Sequence, residues 1–132
     1  MNNILLFALL LLITGCSSLK PALLERDFHR AVDEATTRFD FAKDNCCQVA
    51  QYLHDTLQKA GHTVVYVFVT LDGVGHAVVC EYEKGRYKAD NLLCVDNGAS
   101  MAGRSHLFTY GELKAVSGLI LYNAGKCKEP TL

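Results

Sequence analysis

The sequence predicts an α+β domain in which N-terminal helices pack on an antiparallel sheet of four to five strands. Three observations lead to this prediction. Apolar side chains recur at helical spacing over residues 22–60, runs of β-branched and aromatic residues follow from residue 63, and short links join those runs. Short links favour antiparallel strands, since parallel strands need long crossover connections. The chain has 132 residues, which suits one small domain.

The N-terminal segment is typical of a signal peptide. An uninterrupted apolar run of ten residues extends from Ile4 to Ile13. This is the length of a signal-peptide core, and it is too short to cross a hydrocarbon layer about 30 Å thick. We therefore expect residues 1–15 to be a signal peptide rather than part of the folded domain.

The stretch ITGC at residues 13–16 resembles a bacterial lipoprotein signal, in which small residues precede a cysteine that is lipidated. The resemblance implies that Cys16 carries lipid and becomes the mature N-terminus. Residues 16–21 would then form a tether, and residues 22–132 a single domain anchored to a membrane of the cell envelope and facing the periplasm. The alternatives are an ordinary cleaved signal with a coincidental cysteine, or an inner-membrane anchor.

Two helices follow the tether. The first is predicted over residues 22–39, where the apolar positions share one face and the charges lie on the opposite face. Asp44 or Asn45 can cap a second helix that runs to about Ala60, where Gly61 suits the position after a helix end. The core-facing stripe of this second helix contains Cys46, Ala50, Leu53 and Leu57.

The remainder of the chain alternates between strand and turn signals. The predicted strands are TVVYVFVTL, HAVVCEYE, LLCVDN, HLFTY and GLILYNA, and the turns DGVG and EKGR separate the first three. Two helices followed by four or five strands with short links give the α+β order.

The number of cysteines predicts at least one thiol outside the disulfides of the chain. Of six cysteines, lipidation of Cys16 leaves five, and an odd number cannot all pair within one chain. The periplasm is oxidising, so the remaining thiols tend to form disulfides there. At least one thiol is therefore left over, either as a buried apolar residue or as a reactive group.

Cys46 is the candidate nucleophile among the two adjacent cysteines. It begins the second helix, where exposed amides and the helix dipole stabilise a thiolate. Cys47 is rotated from it by about 100° around the helix and is the better candidate for a structural thiol, with Cys127 as one conceivable partner. Cys46, Cys47 and His76 could also be considered as zinc ligands, but adjacent cysteines on a helix point apart.

A thiol nucleophile needs an imidazole and a group that orients it. His76 begins the second strand and shares a face with Val78 and Cys80 by alternation. Because this face is apolar, we expect it to face the helix that carries Cys46. The other histidines are expected on exposed faces or loops, without a catalytic role: His29, His54, His62 and His106.

Two acids could orient His76. Asp96 shares the apolar face of Leu92 and Cys94, whereas Asp90 shares its face with charged residues, so facing favours Asp96 unless a bulge intervenes. If Asp96 lies opposite His76, Cys80 is diagonal to Cys94 and a disulfide between them is conceivable.

These residues resemble the bacterial transglutaminase-like cysteine peptidases of the papain-like group. The resemblance rests on Cys46 with an alanine four positions later, on His76 in a His-Ala-Val sequence, and on an Asp-Asn pair that matches Asp90-Asn91 or Asp96-Asn97. It implies a papain/transglutaminase-like core and a Cys-His-Asp triad that forms a thioester. It also implies peptide, protein or peptidoglycan-peptide substrates, with no cofactor and no metal.

Other functions stay open. In NlpC-type cell-wall endopeptidases a second histidine stands about a dozen residues after the first, and that position here is Lys88. A lipoprotein could also keep the fold without catalysis and use it for binding or assembly. The net charge of −1 and the absence of basic runs give no support for nucleic-acid binding.

Overall fold

The computed structural model describes residues 23–41, 46–86, 88–101, 106–123 and 127. The predicted signal peptide, the tether with Cys16, and the caps Asp44 and Asn45 lie outside these residues. The helices are α1 (residues 23–38), α2 (Cys46–Lys59) and α3 (Tyr110–Val116). The strands are β1 (Val64–Leu71), β2 (Val74–Glu81), β3 (Leu93–Val95), β4 (Leu107–Thr109) and β5 (Ile120–Asn123).

The α+β prediction is confirmed. Across the described residues the strands form one five-stranded sheet in the order β4-β3-β2-β1-β5, and each recorded pairing is antiparallel. The helices α1 and α2 precede the sheet in the chain. Within the described ranges, no helix is long and apolar enough to cross a membrane.

The second helix ends as the sequence predicts. Gly61 has a φ of +93°, a left-handed conformation that costs glycine little because it has no Cβ. Its N–H donates to the carbonyl of Gln58, and the N–H of His62 donates to the carbonyl of Leu57, both at 3.0 Å. These two bonds form a Schellman motif, which satisfies carbonyls at the helix end and turns the chain into β1.

A tight turn fixes the first hairpin. Asp72 and Gly73 have φ values of 50° and 79°, the pattern of a type I′ turn, which matches the twist of antiparallel strands. The turn pairs Leu71 with Val74 and sets the register of β1 against β2 along their whole length. This register places His76 opposite Val69, near the turn end of the sheet.

The sheet is buried on both faces. On one face Ala77 and Val79 join the buried residues of α1 and α2 in a single apolar cluster. On the other face Val78 and Cys80 pack in a second cluster that includes residues of α3. The prediction that the face of Val78 and Cys80 looks toward α2 is therefore wrong. Both sets of β2 side chains are apolar, so alternation alone could not identify the helical side.

The sequence patterns do not predict the helix α3, because HLFTY and GLILYNA both indicate strands and Tyr110 instead begins the helix. Thr109 ends β4 and caps the helix: its hydroxyl accepts from the N–H of Glu112, while the Glu112 carboxylate accepts from the N–H of Thr109. This reciprocal pair is a capping box. The Thr-x-x-Glu spacing in the sequence was the signal that could have located the helix.

Candidate active site

The chain path brings Cys46 and His76 to the same end of the sheet. The end of α2 leads directly into β1, whose first residue pairs with Glu81 at the far end of β2. The start of α2 therefore lies near the start of β2. The recorded pairing of β3 with β2 covers Val79 and Cys80, so His76 lies beyond it, at the end of the sheet.

Asp96 holds His76 through a short hydrogen bond. The His76 Nε2 and Asp96 Oδ2 atoms are 2.7 Å apart, and the two side chains are 6% and 0% exposed. Asp96 follows β3, whose register sets Cys80 directly opposite Cys94. Continuing this register places Asp96 opposite Val78 and therefore diagonal to His76. The sequence analysis instead considers Asp96 directly opposite His76.

The Asp96 carboxylate is fixed by backbone donors as well. Its Oδ1 accepts from the N–H of Gly98 at 2.7 Å, and its Oδ2 accepts from the N–H of Ser100 at 3.0 Å. Burial alone would raise the pKa of Asp96, but the hydrogen bonds from His76 and Ser100 and the charge of His76 lower it overall. The carboxylate therefore stays ionised and oriented at neutral pH.

The five cysteines in the described residues divide into two disulfides and one remaining thiol. Cys47 bonds Cys127, and Cys80 bonds Cys94. Among the described residues, Cys46 is the cysteine that belongs to neither disulfide, and its side chain is half-buried in the first turn of α2. The adjacent cysteines thus have different environments, and a zinc site that uses Cys47 as a thiolate is incompatible with its disulfide.

Charge and hydrogen bonding couple His76 to the thiol. Burial alone would lower the pKa of His76, but the hydrogen bonds and charges of Asp96 and Cys46 outweigh it and raise the pKa to about 9. Since Asp96 binds Nε2, the ring nitrogen that remains for Cys46 is Nδ1. An imidazolium beside a cysteine stabilises the thiolate, so this arrangement suits a thiolate–imidazolium pair.

Asp90, the alternative acid, lies in a different setting. Its carboxylate forms an ion pair with Lys114 and is 75% exposed, and its carbonyl accepts from the N–H of Gly111 at 2.9 Å. A Cβ at position 111 would lie 3.1 Å from the Asp90 Cβ, so glycine permits the close approach. These contacts attach α3 to the loop before β3, and the hydrogen bond to His76 comes from Asp96 instead.

The remaining histidines largely follow the prediction of exposed faces or loops. His29 is exposed and His62 and His106 lie in loops, although both are half-buried, whereas His54 is half-buried within α2. His54 stacks on Tyr66 at 4.4 Å, and His62 Nε2 lies 2.8 Å from Asp27 Oδ2. These contacts cross between elements distant in sequence, so no local pattern could have revealed them.

His106 is the residue near the site that sequence reasoning missed. Its carbonyl accepts from the N–H of Asp96 at 3.1 Å, and its ring meets Phe41 at 5.3 Å. The signal that could have found it is the short link between β3 and β4, which makes these strands neighbours in the sheet.

The described part of the chain contains no group of three or more histidine, cysteine or acidic side chains placed to hold a metal ion. Comparisons of the chain with protein-family models, curated proteins and solved structures return no match.

Proposed function

We propose that this protein is a cysteine hydrolase of the cell envelope that cleaves amide bonds in peptides, proteins or peptidoglycan peptides. Cys46 is the nucleophile, His76 its base and then the acid, and Asp96 the orienting group. One observation carries the proposal: a thiol outside the disulfides, at a helix start, meets a buried histidine whose other nitrogen binds a buried carboxylate. This is the set of groups that nucleophilic thiol catalysis needs.

The reaction follows from these positions. The Cys46 thiolate adds to the substrate carbonyl carbon, and the carbonyl oxygen takes the negative charge. The backbone amide of Cys46, at the start of α2, is suited to donate to that oxygen. His76 gives its proton to the leaving amine as the amide bond breaks, which leaves a thioester on Cys46.

Water completes the cycle. Neutral His76 accepts a proton from water as the water oxygen attacks the thioester carbon. The carboxylic acid product then departs and the Cys46 sulfur leaves as thiolate beside the imidazolium. Asp96 accepts a hydrogen bond from His76 Nε2 throughout and so keeps Nδ1 facing the reacting atoms.

The proposed location is the periplasmic side of a bacterial membrane, with Cys16 carrying the lipid. The two disulfides support an oxidising compartment, since disulfides persist outside the cytosol. The resemblance to transglutaminase-like cysteine peptidases supports the proposed hydrolysis, because α2 begins with Cys46 and β2 carries the His-Ala-Val sequence.

The test is the pH dependence of Cys46 alkylation in the full-length, oxidised protein. Iodoacetamide is applied between pH 5 and 9, and mass spectrometry of the Cys46 peptide gives the rate. An ordinary thiol with a pKa near 8.5 loses roughly tenfold in rate per pH unit below that value. Cys46 is expected to stay reactive at pH 6 because its thiolate is paired with His76.

Hydrolysis is measured in parallel on a defined mixture of peptides, with Cys46→Ala as the matched control. The proposal requires cleavage products from the native protein and none from the variant. If Cys46 titrates as an ordinary thiol and no peptide is cleaved, the protein is instead a non-catalytic lipoprotein that uses this fold for binding or assembly.

A further inference from the structure

A buried disulfide joins the two strands that lead to the proposed base and its orienting acid. Cys80 of β2 and Cys94 of β3 are directly opposite in the sheet, with their Cα atoms 4.0 Å apart, and both are 0% exposed. His76 lies four residues before Cys80 in β2, and Asp96 follows β3 two residues after its cysteine. Alternation along the strands therefore places the disulfide and the His76–Asp96 pair on the same face.

The backbone pairing that supports this arrangement is short. β3 has three residues, and its recorded pairing with β2 covers two positions, those of Val79 and Cys80. The recorded pairing of β1 with β2 covers eight positions. Cys94 and Val95 are both buried, in the apolar clusters on opposite faces of the sheet. A one-residue slip of β3 would exchange one apolar side chain for another, so the apolar pattern specifies its register only weakly.

The position of Asp96 depends on that register. A slip of one residue moves a strand by about 3.3 Å and turns its side chains to the opposite face. Either change breaks the hydrogen bond of 2.7 Å between Asp96 and His76. The same slip would point Cys94 away from Cys80, and cysteines that point apart cannot be bridged. The disulfide therefore selects the register in which Asp96 meets His76.

We infer that Cys80 and Cys94 are positioning residues, and that formation of their disulfide switches the proposed hydrolase on by fixing Asp96 against His76. The inference rests on the proposed function, because it concerns the orienting acid of the proposed triad. The step is an oxidation by a disulfide-bearing oxidant of the cell envelope. The two thiols lose two protons and two electrons as the sulfur–sulfur bond forms, and the oxidant's disulfide takes them up and becomes two thiols.

The compartment then determines when the hydrolase is active. Thiols stay reduced in the cytosol and form disulfides in the periplasm, so the chain gains its full activity after export. Both sulfur atoms belong to residues that are 0% exposed, so a reductant has no access to them in the folded protein. Activation is therefore set once, during folding, and cytosolic peptides are spared.

The test compares two full-length variants that each lack one disulfide. Cys80→Ala with Cys94→Ala removes the bond between the strands, and Cys47→Ala with Cys127→Ala is the matched control. The control bond joins cysteines 80 residues apart, against 14 for the other bond, so its loss should lower the midpoint of urea unfolding more. Alkylation of Cys46 by iodoacetamide at pH 6 should show the opposite order.

We expect alkylation to be about tenfold slower without the Cys80–Cys94 bond, because a His76 that Asp96 no longer holds stabilises the thiolate less. The control variant should stay within about twofold of the native rate. The slower rate should appear as a rise of about one unit in the pH midpoint of alkylation. A loss of stability alone would not move that midpoint, since both variants are measured in their folded state.

A second measurement keeps the atoms of the switch in place. The control variant is folded with or without dithiothreitol, the reductant is removed, and peptide mapping confirms whether the Cys80–Cys94 bond is absent or present. The reduced form should alkylate Cys46 about tenfold more slowly, and oxidation should restore the rate. If Cys80→Ala with Cys94→Ala does not fold, this comparison decides the question.

The outcomes separate the two proposals. If native Cys46 is reactive at pH 6 and loss of the Cys80–Cys94 bond leaves the rate within about twofold, the switch is overturned and the hydrolase proposal stands. If loss of either disulfide slows alkylation equally, the positioning role is also overturned. An ordinary thiol at Cys46 in the native protein overturns both proposals. Slow alkylation that is confined to loss of the Cys80–Cys94 bond supports both.

Discussion

Two histidine–aspartate pairs at opposite ends of the molecule have nearly the same geometry. The Nε2–Oδ2 distance is 2.7 Å in His76–Asp96 and 2.8 Å in His62–Asp27. The first pair lies at the turn end of the β1–β2 hairpin. The second pair lines a cavity of about 770 Å³ between the start of α1 and the end of α2.

The surroundings of the two pairs differ in three ways. Side-chain exposure is 6% and 0% in the first pair but 18% and 17% in the second. Asp96 accepts two backbone N–H groups, whereas Asp27 has the exposed guanidinium of Arg26 at 3.5 Å. His76 is coupled to a thiol, whereas His62 contacts the ring of Phe28. The two pairs therefore share a hydrogen bond but differ in burial, in backbone donors to the carboxylate and in contact with a thiol.

The largest expected difference between the pairs is in thiol reactivity. His76→Ala removes the cation beside Cys46, so alkylation of Cys46 by iodoacetamide at pH 6 should fall by roughly two orders of magnitude. His62→Ala removes the same side chain at the other end of the molecule and should leave the rate within about twofold. Mass spectrometry of the Cys46 peptide gives both rates. Equal effects of the two substitutions on the alkylation rate would show that His76 does not activate Cys46 specifically.

A smaller difference is expected in stability. Asp96→Asn replaces an accepting oxygen with an amide N–H₂ group that faces N–H donors, so the free energy of unfolding should fall by about 2 kcal/mol. Asp27→Asn affects a partly exposed pair and should cost less than about 1 kcal/mol. Urea titrations at pH 7 give both values.

The stability lost on Asp96→Asn should depend on pH. The pKa of Asp96 is lowered in the folded protein from its ordinary value of 3.8. Its contribution is therefore fully present above that value and is lost as the pH falls through the lowered pKa. The gap between the native protein and Asp96→Asn should narrow below about pH 4. A gap that widens in acid would show that Asp96 is not stabilised as a carboxylate.

The pH profile of hydrolysis distinguishes the histidines further. In the proposed mechanism His76 donates a proton to the leaving amine, and its pKa is raised to about 9. Peptide cleavage should therefore decline above about pH 9, by about tenfold per pH unit, while Cys46 alkylation does not decline because the thiolate persists. His62→Ala should show the same upper limb. If the decline at high pH shifts in His62→Ala, the titrating group is His62 and the assignment of the proton donor to His76 is wrong.

The sequence located the fold through patterns that local forces determine. The helical stripes, the glycine at the end of α2 and the Asp-Gly turn each depend on residues a few positions apart, and each is confirmed. The helical side of β2 could not be predicted. Val78 and Ala77 are both apolar, and the choice depends on where α1, α2 and α3 pack.

The candidate site was less accessible to sequence reasoning. Cys46 begins α2 as predicted, because a helix start is a local feature. The prediction that His76 begins the second strand is wrong, since β2 begins at Val74 and the tight turn at Asp72 and Gly73 lets pairing start two residues earlier. The second pair, His62–Asp27, and the contact of His106 with Phe41 join residues far apart in the chain. The choice between Asp96 and Asp90 depended on register and loop path, which the sequence left open.

The smallest effect is expected at Asp90, the acid that resembles Asp96 in sequence. Its carboxylate is 75% exposed and pairs with Lys114, which is itself 44% exposed. Exposed ion pairs contribute little because water and salt screen them, so Asp90→Asn should change the free energy of unfolding by about 0.5 kcal/mol or less. Alkylation of Cys46 at pH 6 should be unchanged, since Asp96 still orients His76. If Asp90→Asn slows alkylation and Asp96→Asn does not, the orienting acid is Asp90, and the buried pair at the end of the sheet is structural like its counterpart at His62.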